Sequence, residues 1–404
     1  MKSKNEVQDY AVNLIQEHPN KNLLLSWITG VGKSLAFIKI QETYYKDKKT
    51  IIVVNERNHI KNWYDEYKKH NKEYLLENTT IFCYASLKKY IHTKADLLCL
   101  DEAHHALSPI RMDILSTFLV DKVISLTATL SYTQFTSLTE TFGAFIKHDF
   151  SLQEASENNI LVSPKIYLIG LDLDNSNKNL EYIVSWGSKA KRKVLYDDLS
   201  NRALYNRNKY PNLELRLRCS EASYNMIINQ DIENFKQAYN NNPNQFNKFR
   251  WLNLSSQRKT FLGEIKTEAV KILTKQLKDK KYLCYCTSIK QTSLIGNDDN
   301  IIHSNKPEKE NDTIIDNFNK GKINNLIAVS KLTEGQNLTG LTTVILTSLD
   351  AKNRTFIQRV GRTLRSDTPE IYVLYHKNTR DEKVLENVFS TIKEENITYR
   401  DLII

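Results

Sequence analysis

The stretch Ile28-Thr29-Gly30-Val31-Gly32-Lys33-Ser34 decides the fold. Before it, Leu23 to Ile28 is a short apolar run that reads as a buried strand; after it, Ser34 to Ile40 opens a helix. Glycine lets the backbone curl until several N–H groups face one anion. The helix N-terminus adds its partial positive charge. The chain has only 11 glycines in 404 residues, so two of them just before a Lys-Ser pair are better explained as a phosphate loop than as a chance turn. Thr29, Gly30, Val31 and Gly32 form the cradle, Lys33 reaches the β- and γ-phosphates of a nucleoside triphosphate, and Ser34 is placed to ligate magnesium.

Further along, Ala95 to Leu100 reads as a second buried strand, ending in Asp101-Glu102-Ala103-His104. A carboxylate at such a strand end, beside a phosphate loop, can hold magnesium, and the next can orient and deprotonate a water. Asp101 is assigned to the metal and Glu102 to the general base. Alone, the pair would be better read as acidic N-caps of a helix at a strand end; the upstream loop favours the catalytic reading. A third strand, Lys122 to Leu126, ends in Thr127-Ala128-Thr129, whose hydroxyls are placed to bond the acidic motif.

Strand patterns begin near Leu23, Ile51, Ile81, Leu97 and Val123, alternating with helical patterns, and recur near Tyr282, Ile301, Leu326, Val344 and Ile371. The expected fold is α/β: a first parallel-sheet domain over residues 1–150 and a second over 151–404. The run Lys165 to Leu173 is a strand expected to join the second sheet. A polar, mostly helical insertion interrupts the second domain over about 176–255. A helix is expected from Ser255 to about Leu277, with Ile265, Ala269, Ile272, Leu273 and Leu277 inward. The last helix carries Val384, Leu385, Val388, Phe389 and Ile392 on one face. From Trp186 to Arg218 the insertion has nine Lys or Arg against three Asp or Glu, an excess of six, with Tyr196, Tyr205 and Tyr210 interleaved. Such a segment is read as a nucleic-acid groove, in preference to a small bundle whose lysines face water.

Five segments in order resemble the motifs of superfamily 2 helicases of the DEAD/DEAH type. They are the phosphate loop (motif I), Asp101 to His104 (motif II), Thr127 to Thr129 (motif III), Thr333-Glu334-Gly335-Gln336-Asn337-Leu338 (motif V) and Gln358-Arg359-Val360-Gly361-Arg362-Thr363-Leu364-Arg365 (motif VI). The resemblance runs from Gln8 to Arg365. It implies two RecA-like domains with ATP in the cleft between them. It also implies that Gln8 reads adenine, that Arg362 and Arg365 act as arginine fingers, and that Gln358 positions water or the γ-phosphate. Gly335 and Asn337 would lie near the ribose. Such fingers are worth roughly 10³–10⁵ in rate. The segment Ile51 to Asn55, with Trp63 and Glu66, resembles motif Ia and the helix behind it, though Asn55-Glu56-Arg57 stands where these proteins carry a proline. Arg57, Ser86, Thr287 and the run Lys191-Arg192-Lys193 are candidate nucleic-acid contacts. The end of motif VI is closest to phage recombination and restriction-type enzymes. That favours DNA over RNA and a bacterial or phage-infected cell.

Composition sets outer bounds. A formal charge of +10 and a pI near 9.1 favour a polyanionic partner, although lysine and asparagine richness also arises from genomic bias. The five cysteines show no zinc spacing and suit a reducing cytosol. No apolar run is long enough to span a bilayer, and the charged start is no signal peptide, so a soluble, cytoplasmic protein is expected, and nothing in the sequence demands more than a monomer. The leading functional expectation is an ATP- and magnesium-dependent DNA helicase. Its alternatives are a duplex translocase that does not separate strands, an RNA helicase, a nucleotide-gated clamp, and a non-motor ATPase, which leaves motifs III and VI unexplained.

Overall fold

The computed structural model describes residues 2–128, 130–183, 192–196, 213–329, 338–350, 356, 359–361, 363, 366–389 and 394–402, of which 192–196 and 213–215 are described for backbone alone. The chain opens with α1 (Lys4–Glu17), whose N-terminus is closed by Ser3 and Glu6 in a reciprocal capping box. There follow β1 (Asn22–Trp27), α2 (Lys33–Tyr44), β2 (Thr50–Val54), α3 (Arg57–Lys69), β3 (Thr79–Cys83) and β4 (Lys94–Asp101). Next come α4 (Pro109–Leu115), β5 (Leu119–Thr127), α5 (Tyr132–Phe142), β6 (Phe145–Phe150) and α6 (Leu152–Glu157). The six strands form one sheet in the order β3-β2-β4-β5-β1-β6, parallel at every pairing. β2 reads Thr-Ile-Ile-Val-Val and is buried throughout, as a β-branched run must be when helices cover both faces of its sheet.

The next strand, β7 (Lys165–Leu171), belongs to a second sheet, where it pairs with β15 (Glu370–His376). Between them lie β8 (Leu180–Ile183), β9 (Arg192–Tyr196), β10 (Leu213–Cys219), α7 (Glu221–Asn241), α8 (Gln245–Glu264) and α9 (Thr267–Gln276). They are followed by β11 (Tyr282–Cys286), α10 (Ile289–Ile295), β12 (Ile301–Ile302), α11 (Glu308–Asn319), β13 (Asn325–Val329) and β14 (Thr343–Leu346). After β15 come α12 (Arg380–Phe389) and β16 (Ile397–Tyr399). The second sheet has the order β12-β13-β11-β14-β15-β7-β16 and is also parallel throughout. All ten strands expected in the two units are present, and β7 joins the second sheet as its sequence suggests. The edge strands β6 and β16 are additions.

The segment read as mostly helical has two long helices, α7 and α8, and also a small mixed sheet, β8-β10-β9. Its core is its own: Tyr182, Leu217, Ile227, Ile228, Ile232 and Leu254 pack together. The single helix expected from Ser255 to Leu277 is interrupted at Ile265 and Lys266. There Lys266 turns inward: its side chain is fully buried, and its ammonium donates to the Thr347 carbonyl at 2.8 Å and pairs with Asp381. Of the positions expected inward, Leu273 and Leu277 are buried, while Ile265, Ala269 and Ile272 are half-buried; Val270 of α9 is buried as well. On α12, Val384, Leu385, Val388 and Phe389 are buried as expected; Ile392 lies outside the described residues. The five cysteines are free and buried, and burial pushes the thiols of Cys83, Cys99 and Cys219 upward, which suits packing more than reactivity. Among the described residues, no helix is long and apolar enough to cross a membrane.

His376 ends β15 and is 2% exposed. Burial, with the Lys266 ammonium next in weight, lowers it to about 4, against the opposing pull of Asp381. The unfolded imidazole titrates near 6.5, so between these values the unfolded chain binds the extra proton. The stability contributed by neutral His376 is complete above about pH 6.5 and is lost as pH falls through about 4. Chemical denaturation from pH 7 to pH 4 should therefore cost the native protein about 3 kcal/mol more than His376→Leu. Parallel curves for the two proteins would refute this.

Candidate active site

Parallel hydrogen bonding brings the acidic and phosphate-loop segments together. β4, β5 and β1 are neighbours in that order, and Asp101 is level with Leu126, which is level with Leu25. The strands end within two residues of this line, so Asp101, Thr127 and the loop after Trp27 emerge on one edge. Open parallel sheets bind ligands at that edge.

In the loop, Gly30 and Gly32 have φ of 101° and 95°, the left-handed region that disfavours a side chain. Both also have close neighbours: a Cβ on Gly32 would lie 2.4 Å from Gln8 Nε2, and one on Gly30 would lie 3.1 Å from Leu161 Cδ2. Val31 is buried, and its carbonyl accepts from Gln8 Nε2 at 3.0 Å. Gln8 is itself fully buried and braces the loop, and its Oε1 has no hydrogen-bond partner among the described residues. Lys33 opens α2 and donates through Nζ to the Trp27 carbonyl at 3.0 Å. Thr29 and Ser34 are half-buried on either side of the glycines. Loop backbone, helix N-terminus and ammonium together make a receptor for a polyanion.

The Asp101 carboxylate is held from two sides. Trp63 Nε1 donates to Oδ2 at 2.9 Å, and the Glu102 N–H donates to Oδ1 at 3.0 Å. The buried Tyr84 hydroxyl donates to the Asp101 carbonyl at 3.0 Å. Trp63 lies on the buried face of α3 with His59 and Tyr67, and packs edge-on against Phe37 of α2, with ring centroids 5.6 Å apart. Glu102 has φ 45° and ψ 55°, a left-handed conformation unusual for a side-chain-bearing residue and of the kind that concentrates at functional sites. Its Oε2 lies 3.5 Å from His104 Nδ1, which is 3.3 Å from Thr127 Oγ1. His104 therefore bridges motifs II and III. His105 stacks obliquely on His104 at 4.1 Å, and its carbonyl accepts from Arg111, consistent with a structural role. Hard oxygen donors at Asp101 and Ser34, beside an anion receptor, fit a magnesium ion.

Arg57 is exposed at the start of α3, and Ser86 is half-buried just past β3, so both lie on the same edge of the first sheet. Thr287 instead turns inward: its Oγ1 is 3.1 Å from Gln291 Oε1, and its side chain packs against Gly263 of α8. Arg192 and Lys193 lie on β9, described for backbone alone. Thr129, Lys191, Gly335, Asn337, Gln358, Arg362 and Arg365 lie outside the described residues, as do Tyr205 and Tyr210. In motif VI, Arg359 is described: it is buried, donates through Nη1 to the Ser348 carbonyl at 3.2 Å, and lies over the Tyr285 ring at 5.1 Å. Sequence reasoning placed Trp63 on the helix behind motif Ia but missed its bond to Asp101.

A nucleotide receptor on one parallel sheet, with a second parallel sheet following in the chain, defines a RecA-type α/β protein. Residues 2–132 match the family described as type III restriction enzyme, res subunit, and residues 265–367 match the helicase conserved C-terminal domain. Together these matches span more than half of the chain, in the order that a two-domain motor requires. The chain belongs to the superfamily 2 helicases: it is an ATP-hydrolysing helicase with two RecA-like domains, and it acts on nucleic acid. Among solved structures it is similar to the Hef helicase domain of Pyrococcus furiosus, with TM-score 0.51, 14% identity, and coverage of 95% of this chain and 98% of that one. It is also similar to S. cerevisiae Dbp5 bound to RNA and ADP BeF3, with TM-score 0.58, 12% identity, and coverage of 98% and 90%. At such identities these likenesses concern the fold. No curated protein matches by sequence.

The Trp63 indole should matter to turnover. Trp63→Phe keeps the ring packing and removes the donor to Asp101. Its kcat for ATP hydrolysis should fall about tenfold, about 1.4 kcal/mol, with the near-ultraviolet dichroism of the fold retained. A wild-type kcat would show that Asp101 is oriented without the indole.

Proposed function

We propose that the chain is an ATP- and magnesium-dependent motor that moves along DNA and separates or remodels strands, in replication, recombination or repair. The observation that carries this is the shared edge, where the glycine loop, Asp101-Glu102 and Thr127 meet. Lys33 binds the β- and γ-phosphates, while Thr29, Gly30, Val31 and Gly32 wrap them with backbone. Magnesium, held by Ser34 and Asp101, would offset the phosphate charge. Glu102 orients the attacking water and takes its proton. Arg362 and Arg365 neutralise charge on the transferred phosphoryl group, and Gln358 aligns water with it. Gln8 recognises adenine, its amide already placed against the loop, and Gly335 and Asn337 lie near the ribose.

In this reading residues 1–150 bind nucleotide, residues 151–404 close over it, and the insertion at about 176–255 grips nucleic acid. Arg57 and Ser86 add contacts from the first sheet, and Lys191, Arg192 and Lys193 add them from the second unit; Thr287, turned inward onto Gln291 and Gly263, does not. Backbone contacts make such movement largely independent of sequence. DNA is favoured over RNA by the form of motif VI. The match of the first half to the res subunit of type III restriction enzymes supports a second reading, a translocase on duplex DNA that leaves the strands paired.

The test is the ATP hydrolysis rate alone and with single-stranded DNA, duplex DNA, forked DNA and RNA. Stimulation by single-stranded or forked DNA supports the first reading, stimulation by duplex alone the second, and stimulation by RNA alone reverses the substrate. Lys33→Ala should abolish turnover and retain nucleic-acid binding; an unchanged rate would remove the assignment.

A further inference from the structure

The root of α8 is keyed to the segment that leads into motif VI. The Gly263 carbonyl accepts from Gln291 Nε2 at 2.6 Å, and Ser288 donates to Glu264 at 2.5 Å. Thr347, just past β14, donates to the Tyr285 carbonyl at 3.0 Å and to Gln291 Oε1 at 3.3 Å. Three residues on, Asp350 takes two cations. Its Oδ1 pairs with Lys259, one turn before the root of α8, and its Oδ2 lies 3.5 Å from Arg359 Nη2. The Arg359 side chain is only 7% exposed, so its charge depends on this carboxylate, the Ser348 carbonyl and the Tyr285 ring. Arg359 stands three residues before Arg362.

We infer that Asp350 is a positioning residue for motif VI, and that Lys259 ties it to α8 so that load on the insertion changes the placement of the arginine fingers. This rests on the reading that Arg362 acts on the γ-phosphate. A buried guanidinium that loses its carboxylate is left uncompensated, so Arg359 follows Asp350. Asp350 carries an ion pair from the helix on one oxygen and an ion pair from motif VI on the other, so motion of one partner is felt by the other. And α8 is one helix of 20 residues, about 30 Å long. From Asn234 to Gly263, the α7–α8 hairpin has five Lys or Arg (Lys236, Lys248, Arg250, Arg258 and Lys259) and no Asp or Glu. Toward its tip Phe246 and Phe249 are 62% and 66% exposed. A nucleic-acid strand meets cations and stacking faces there, at the far end of the helix that bears Lys259.

The test uses the full chain, with ATPase kinetics measured alone and with a 40-nucleotide oligothymidylate or oligouridylate. Asp350→Asn should lower stimulated kcat about tenfold while KM for ATP moves less than about twofold. Lys259→Ala, at a half-exposed side chain, should cut the ratio of stimulated to unstimulated kcat by roughly threefold or more, and Lys259→Arg should restore it. The double variant should be no worse than Asp350→Asn, because both act through one carboxylate. Wild-type kinetics in both single variants, additive losses in the double, or a wild-type rate indifferent to both oligonucleotides would each overturn the inference. Arg362→Ala separates the layers. If it hydrolyses ATP normally, the reading of motif VI has failed; if it is inactive while Asp350→Asn and Lys259→Ala behave as wild type, only the tie to α8 has failed.

Discussion

Parallel hydrogen bonding among β4, β5 and β1 brings Asp101, Thr127 and the phosphate loop to one level, and the surrounding contacts serve that edge. A nucleoside triphosphate presents several negative charges within a few ångströms. A protein can meet them with backbone dipoles and one cation only if the chain curls tightly at a strand end. The left-handed Gly30 and Gly32 permit that curl, and Gln8 and Leu161 close off the space that side chains there would fill. α1 is thereby fixed against the loop, because its Gln8 is buried on the Val31 carbonyl.

Acidic groups at such an edge need orientation as much as charge. A carboxylate can rotate, so a metal-binding site gains from donors that hold it. Asp101 is held by an indole from α3 and by the next backbone amide, and its carbonyl by the Tyr84 hydroxyl. The left-handed Glu102 then turns the chain sharply, so that His104 faces both the Glu102 carboxylate and Thr127. These contacts come from four separate segments, which is why the site depends on the packing of the whole first sheet.

The central strands and the phosphate loop were legible in the sequence because their signals are local: apolar runs of strand length and two glycines before Lys-Ser. The edge strands β3 and β12 were legible too, but β6 and β16 were not. Phe145-Ile146-Lys147-His148-Asp149-Phe150 is largely half-exposed and mixes charge with apolar residues, so it has neither a buried run nor a clean alternation. The split between α8 and α9 was hidden for a different reason. Lys266 occupies an ordinary helical position, and only Thr347 and Asp381, far along the chain, draw it inward. Trp63 shows the same limit: its helical face marks it as buried, but the Asp101 carboxylate it meets is set by sheet order. The small sheet β8-β10-β9 pairs segments separated by long polar stretches, and the expected helical pattern fits α7 and α8 alone.

The insertion has an apolar core of its own. Tyr182, Leu217, Ile227, Ile228, Ile232 and Leu254 form a core distinct from those of the two large sheets. Its root meets the second sheet through named polar contacts, at Gly263, Glu264, Lys259 and Lys266. Apolar burial is non-directional, and a body attached by it alone can slide. Hydrogen bonds and ion pairs fix direction and distance, and they exchange for other partners at modest net cost. The insertion thus combines a core of its own with directional polar contacts at its root.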